Sequence, residues 1–131
     1  MTPDVEPLEL YTSNVDSTQN MWYFLFTVAI GLIGFLATIK IEKLRIAFYI
    51  VLFAFIFCAS ANFSMISASF KRREAIYYEL IKEAKPPYGD TIISTFEPPP
   101  IKLIYRLHIA LDLLSIGTII ALYQIRKPKR K

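Results

Sequence analysis

Four polar side chains in the last apolar stretch of the chain could carry chemistry. Tyr105, His108, Asp112 and Ser115 follow one another at helical spacing and therefore share one face of a helix. His108 and Asp112 are four residues apart, a spacing that lets an imidazole and a carboxylate meet. The pair would suit a proton relay or a histidine ligand oriented by a carboxylate. The structural alternative, a buried hydrogen-bonded clamp that grips a partner, is the favoured interpretation.

A metal or haem site is not predicted. The chain has one histidine and one cysteine, Cys58, whereas a closed structural metal site uses about four ligands. The stretch from Arg106 to Asp112 is similar to a segment of the three-span haem-anchoring subunits of quinone-linked dehydrogenases. That resemblance implies a haem-ligand histidine at position 101, where this chain has Ile101. We therefore predict no cofactor.

Catalytic motifs are also missing from the sequence. It contains no phosphate-binding glycine loop, no Gly-x-Ser-x-Gly elbow, no His-Glu-x-x-His motif and no Cys-x-x-Cys pair. We expect no catalytic residues and no enzyme activity of the chain's own.

The elements that must position these residues are three membrane-spanning helices. The apolar runs at 21–39, 46–70 and 107–125 contain only His108 and Asp112 as groups that ionise near neutral pH. A spanning helix needs roughly 20 apolar residues, and with its flank the third run becomes a span over 101–125. The composition predicts an all-α membrane protein with three transmembrane helices.

Charge predicts the orientation. Residues 1–20 form an acidic tail without lysine or arginine, whereas the loop 40–45 carries +2 and the tail 126–131 carries +5. The positive-inside rule then places the N-terminus outside, and the short loop and the C-terminus inside. The basic triplet at 71–73 conflicts with the positive-inside rule, because this orientation places it on the outer side of the membrane. The tail's cations are interpreted as a topology and lipid anchor: Arg126, Lys127, Lys129, Arg130 and Lys131.

The outer connection between the second and third spans has two parts. Residues 71–85 predict an amphipathic helical extension, because Ile76, Tyr77 and Leu80 share one face. This extension either continues the second helix beyond the membrane or bends to lie along the interface. Residues 86–100 predict a Pro-rich outer loop.

Small residues mark two candidate helix-packing seams, since membrane helices associate through close backbone approach. The first span presents Thr27, Gly31, Gly34 and Thr38 on one face, and the second presents Ala54, Cys58 and Ala61. Asn62 is a candidate for a hydrogen bond between helices.

These features favour a non-catalytic accessory or structural subunit of a multi-subunit integral membrane complex, with a respiratory or other redox enzyme as the candidate complex. The expected partners are other integral membrane subunits and membrane lipids, with no nucleic acid. The polar stripe from Tyr105 to Ser115 is expected to face partner helices. The expected location is a prokaryotic plasma membrane or an organelle inner membrane. The alternatives are a homo-oligomeric pore, which resembles phage holins in general plan, and a proton-conducting protein that uses His108 and Asp112.

Overall fold

The computed structural model describes residues 7–83 and 96–128, and every regular element within those ranges is helical. Three long helices follow in chain order: α1 at Pro7–Thr38, α2 at Leu44–Glu83 and α3 at Ile101–Arg126. Each is long and apolar enough to span a membrane. Most of the predicted Pro-rich loop, and the tail beyond residue 128, lie outside the described residues.

Helix α1 begins well before the first apolar run. Pro7 occupies the first helical position, where its missing N–H costs no hydrogen bond, and Glu9 in the first turn complements the helix dipole. The sequence predicts an acidic tail over residues 1–20, but residues 7–20 are helical. The reason is an apolar stripe on this segment, Tyr11 with Val15, which packs against the far end of α2 at Ile76, Tyr77 and Leu80.

A tight connection joins α1 to α2. Lys40 is in extended conformation, a single 3₁₀ turn follows at Ile41–Lys43, and α2 starts at Leu44. Leu44 is almost completely buried, at 1% exposure. The short connection makes α1 and α2 antiparallel neighbours.

Helix α2 is one continuous helix of 40 residues, about 60 Å at 1.5 Å per residue. It passes through Lys71 without a break, since no proline or glycine lies between residues 46 and 83 to bend it. Residues 71–83 therefore belong to the same continuous helix as the second apolar run.

The three helices form a bundle whose largest apolar cluster joins α1, α2 and α3 through side chains such as Leu36, Phe55 and Ile119, each 0% exposed. Large apolar side chains also cover the outside of the bundle, for example Ile30, Phe53 and Leu114. Several polar side chains are buried within it: Asn14, Thr18, Asn62, Ser69, Arg73 and His108. A surface this apolar is typical of contact with lipid or with other proteins.

Arg126 ends α3 and also caps α1. Its guanidinium donates to the main-chain oxygens of Leu36 and of Ile39, the latter at 2.7 Å. The last carbonyls of a helix lack partners within the helix, and a cation is favourable there. Arg126 is half-buried between helices and Lys127 is exposed; the role of both as a topology and lipid anchor stays a prediction. Lys129, Arg130 and Lys131 lie outside the described residues.

Replacing the cap should weaken the bundle. We expect Arg126→Gln to lower the free energy of unfolding in detergent by about 1–3 kcal/mol, because hydrogen bonds from a charged donor to the α1 carbonyls are lost. Lys127→Gln removes the same charge from an exposed neighbour and should change little. Equal effects of the two variants on the unfolding midpoint would contradict the cap.

Candidate functional site

The polar stripe of α3 faces the other two helices of its own bundle. His108 is 0% exposed, and the Tyr105 hydroxyl and the Ser67 Oγ of α2 form a 2.6 Å hydrogen bond. Within the bundle His108 is fully buried, whereas Tyr105, Asp112 and Ser115 are half-buried. Tyr105 finds its hydroxyl partner on α2, and Ser115 bonds to the Leu111 carbonyl of its own helix at 2.9 Å. Contact of the stripe with partner helices stays a prediction.

His108 and Asp112 form a hydrogen-bonded pair. The distance from His108 Nδ1 to Asp112 Oδ2 is 2.9 Å. The ring of Trp22 on α1 lies 5.3 Å from the imidazole, and the ring of Phe63 on α2 meets it edge-on at 5.2 Å. The imidazole is therefore enclosed by aromatic rings from both neighbouring helices and by a carboxylate from its own.

The remaining polar atoms of this pair lack partners. His108 Nε2 and Asp112 Oδ1 are buried without a hydrogen-bond partner among the described residues. A carboxylate only accepts hydrogen bonds, so with Asp112 ionised the ring proton sits on Nδ1 and Nε2 has a free lone pair. The arrangement can hold α3 in place as a clamp, and it can also accept a proton at Nε2.

Asn62 connects α2 to α1 by a hydrogen bond close to His108. It is 3% exposed, and its Nδ2 donates to the main-chain oxygen of Met21 at 2.7 Å. Its Oδ1 is buried without a partner among the residues that the structure describes.

The predicted small-residue seams do not form the contact between α1 and α2. Gly31 and Gly34 are exposed, and a Cβ added at either would meet nothing within 4 Å. The hydroxyls of Thr27 and Thr38 bond to carbonyls of their own helix. In the second seam, Ala54 and Cys58 are half-buried and Ala61 is exposed. Other alanines, Ala29, Ala47 and Ala59, are the small residues buried in the bundle.

Sequence reasoning missed a second polar site, which we call the arginine cluster: Tyr11, Asn14, Thr18, Ser69 and Arg73. It joins the first turns of α1 to the part of α2 beyond its apolar run. The Arg73 Nε donates to Asn14 Oδ1 at 3.2 Å, and Nη2 donates to Thr18 Oγ1 at 2.9 Å. Thr18 and Ser69 share a further hydroxyl contact of 2.6 Å.

Arg73 is held by neutral groups. It is 7% exposed, and its guanidinium also lies over the Phe70 ring, 4.7 Å from the centroid, and farther from the Tyr11 ring. No carboxylate pairs with it within residues 7–83 and 96–128. Burial lowers the pKa of Arg73 below its ordinary value. Among the described residues, hydrogen bonds and aromatic faces surround Arg73 where a buried cation normally requires a counter-ion.

Tyr11 connects the cluster to the start of the segment that leads into α3. Its hydroxyl donates to the Phe96 carbonyl at 2.7 Å, and the two rings meet edge-on. Burial raises the pKa of Tyr11, so the hydroxyl stays protonated as a donor. The signal in the sequence was the spacing of Tyr11, Asn14 and Thr18 along one helical face, which is informative only once residues 7–20 are known to be helical.

No three histidine, cysteine, aspartate or glutamate side chains converge anywhere in the described ranges. The Cys58 thiol is free and half-buried. No protein-family model, curated protein or solved structure matches the chain. The geometry defines an all-helical chain with three candidate membrane-spanning helices and two buried polar sites, and its function must be argued from those sites and from the open surfaces.

The arginine cluster makes a direct prediction about stability. We expect Arg73→Met to lower the free energy of unfolding by about 1–3 kcal/mol, because Asn14 and Thr18 lose a charged donor. The matched control is Arg72→Met, the same change at the next position, where the side chain is exposed. Chemical unfolding in detergent measures both, and a loss for Arg72→Met as large as that for Arg73→Met would contradict the cluster.

The pair of His108 and Asp112 makes a second prediction about stability. Asp112→Asn keeps a carbonyl oxygen that accepts from His108 Nδ1, so we expect a loss of less than about 1 kcal/mol in the free energy of unfolding. Asp112→Leu removes the acceptor and leaves a buried imidazole N–H unpaired, which should cost about 1–3 kcal/mol. Thermal unfolding of both variants, each purified in the same detergent, checks the order. A leucine variant as stable as the asparagine variant would exclude the clamp.

Proposed function

We propose that this chain is a non-catalytic accessory subunit of a multi-subunit integral membrane complex, of the respiratory or another redox type. In this proposal the bundle spans a prokaryotic plasma membrane or an organelle inner membrane three times. The N-terminus lies outside and the C-terminus inside, as the acidic residues of α1 and the cations that follow α3 favour. The far ends of α1 and α2, joined at the arginine cluster, then project outside.

The observation that carries the proposal is the open glycine face of α1. Gly31 and Gly34 lie on a helix that already packs against α2 with another face, and nothing in the described bundle comes within 4 Å of a Cβ at either position. Small residues on a membrane helix allow another backbone to approach closely. No described residue of this chain covers that face, so we assign it to a helix of another subunit.

The polar sites support the same assignment. Their side chains are turned into the bundle and bonded there, so the chain can fold around them before it meets a partner. A water-filled pore would place polar groups on the face shared by several copies. Ser64, an exposed serine of α2, instead bonds back to the Ser60 carbonyl at 3.2 Å. This gives the homo-oligomeric pore less support.

A second candidate function, proton handling, is favoured by one observation. His108 Nε2 and Asp112 Oδ1 are buried without partners among the described residues, and an imidazole–carboxylate pair within an apolar bundle can take up and release a proton. The Asp112→Asn variant separates the two functions when proton flux is measured in vesicles. A subunit conducts no more than empty vesicles in either form, whereas a proton-handling protein loses flux in the variant.

The glycine face gives a test of the subunit proposal. We expect Gly34→Leu to weaken association with partner subunits by about 1–3 kcal/mol, because the larger side chain prevents close approach. Gly117→Leu on α3 is the matched control, since Gly117 is also exposed with nothing within 4 Å of an added Cβ. Native gels after gentle detergent extraction, with the bound polypeptides counted by mass spectrometry, measure association. Equal retention of partners by the two variants would exclude the glycine face as the contact.

A further inference from the structure

A continuous groove runs along the seam between α1 and α2 on one side of the bundle. Its polar end is a cavity of about 220 Å³, and its apolar end is a cavity of about 550 Å³. Both cavities are lined by Ser17, Met21 and Met65, so they are two parts of one groove.

The polar end lies where the apolar run of α2 stops. It is lined by Asn14 and Ser17 from α1 and by Ser69 and Arg72 from α2. Arg72 is the one charged side chain among these lining residues, and it is exposed. Asp16 and Glu74 are exposed nearby in sequence but do not line the groove. Asn14 and Ser69 are bonded within the arginine cluster, so the groups that the polar end offers to an anion are the exposed Arg72 guanidinium and the exposed Ser17 hydroxyl.

The apolar end extends toward the middle of the bundle. On α2, the lining residues farthest from the polar end are Phe57, Cys58 and Ala61. Phe24 lines the same part of the groove from α1. Hydrogen bonds between α1 and α2 fix the two walls at two levels: Arg73 on Asn14 at the polar end, and Asn62 on Met21 where the two cavities meet. The groove therefore exists before anything enters it.

The length of the groove matches one leaflet of a bilayer. Arg72 and Phe57 are fifteen residues apart on one continuous helix, about 22 Å at 1.5 Å per residue. Half of a bilayer, with its headgroup region, is about 20–22 Å thick. With the apolar runs in the membrane, Arg72 lies at headgroup depth and Phe57 near the midplane.

We propose that this groove binds one anionic phospholipid, with its phosphate headgroup at Arg72 and one acyl chain between Phe24 and Ala61. A guanidinium binds phosphate oxygens with charge-assisted hydrogen bonds. The proposal also accounts for the basic triplet at 71–73, which lies on the outer side in the proposed orientation. Arg73 is bonded inside the bundle, and a bound anionic lipid neutralises Arg72. The proposal depends on membrane insertion and does not depend on partner subunits.

Native mass spectrometry of the full chain, purified alone in detergent, tests the groove. The probes are dioleoyl phosphatidylglycerol and dioleoyl phosphatidylcholine, which share acyl chains and differ in net charge. We expect preferential retention of phosphatidylglycerol and a loss of about tenfold in its affinity for Arg72→Gln, the change that one charge-assisted bond implies. Lys71→Gln, which removes an adjacent exposed charge that does not line the groove, should leave the affinity unchanged.

A second variant tests the apolar end. Ala61→Phe should fill the groove and reduce binding of both lipids, whereas Ala110→Phe, at an exposed alanine of α3, should not. Equal retention of the two lipids by the wild type, equal effects of Arg72→Gln and Lys71→Gln, or full retention by Ala61→Phe would each overturn the proposal. The lipid experiment uses the chain without partners. A negative result for lipid binding therefore does not affect the test of the glycine face, and a negative result for partner binding does not affect the test of lipid retention.

Discussion

The antiparallel contact between α1 and α2 is the constraint on which the rest of the structure depends. In hydrocarbon, apolar surface alone gives helices little reason to associate, and packing with hydrogen bonds between helices has to hold them together. Asn62 on the Met21 carbonyl and Arg73 on Asn14 and Thr18 fix the two helices at two levels. With that pair in place, α3 has a surface against which Tyr105 and His108 can pack, and Arg126 can reach the end of α1.

The same constraint explains why polar side chains lie inside the bundle and large apolar side chains lie on its outside. A buried donor or acceptor without a partner costs free energy, so polar side chains are retained where a neighbouring helix supplies the partner. His108, with Asp112 on its own helix and aromatic rings from the other two, is the clearest case. The outer surface is then left for lipids and other helices, and the exposed glycines of α1 make one part of it suited to a close helix contact. The proposed role as a subunit rests on this division.

The basic triplet at 71–73 illustrates how one turn of helix assigns different roles to similar side chains. Lys71 is exposed, Arg72 lines the groove and Arg73 is buried in hydrogen bonds. Successive residues on a helix point about 100° apart, so Arg73 points at α1, Arg72 lies at the edge of the groove and Lys71 is exposed. The net charge of the triplet is visible in the sequence, but its orientation is set by the face that α2 turns toward Asn14 and Thr18.

The sequence by itself determined the helical class and the three apolar runs, because spans of about 20 apolar residues between charged segments have few other solutions. It also placed His108 and Asp112 within bonding distance, since the i, i+4 spacing is local. Only the tertiary structure decided which faces meet. The glycine face of α1 is open rather than packed, the stripe of α3 is turned inward, and residues 7–20 form a helix because α2 is long enough to support them. The hydrogen bonds of the arginine cluster join positions 51 to 59 residues apart. Partners that distant follow from the way the helices pack, which residue spacing does not encode.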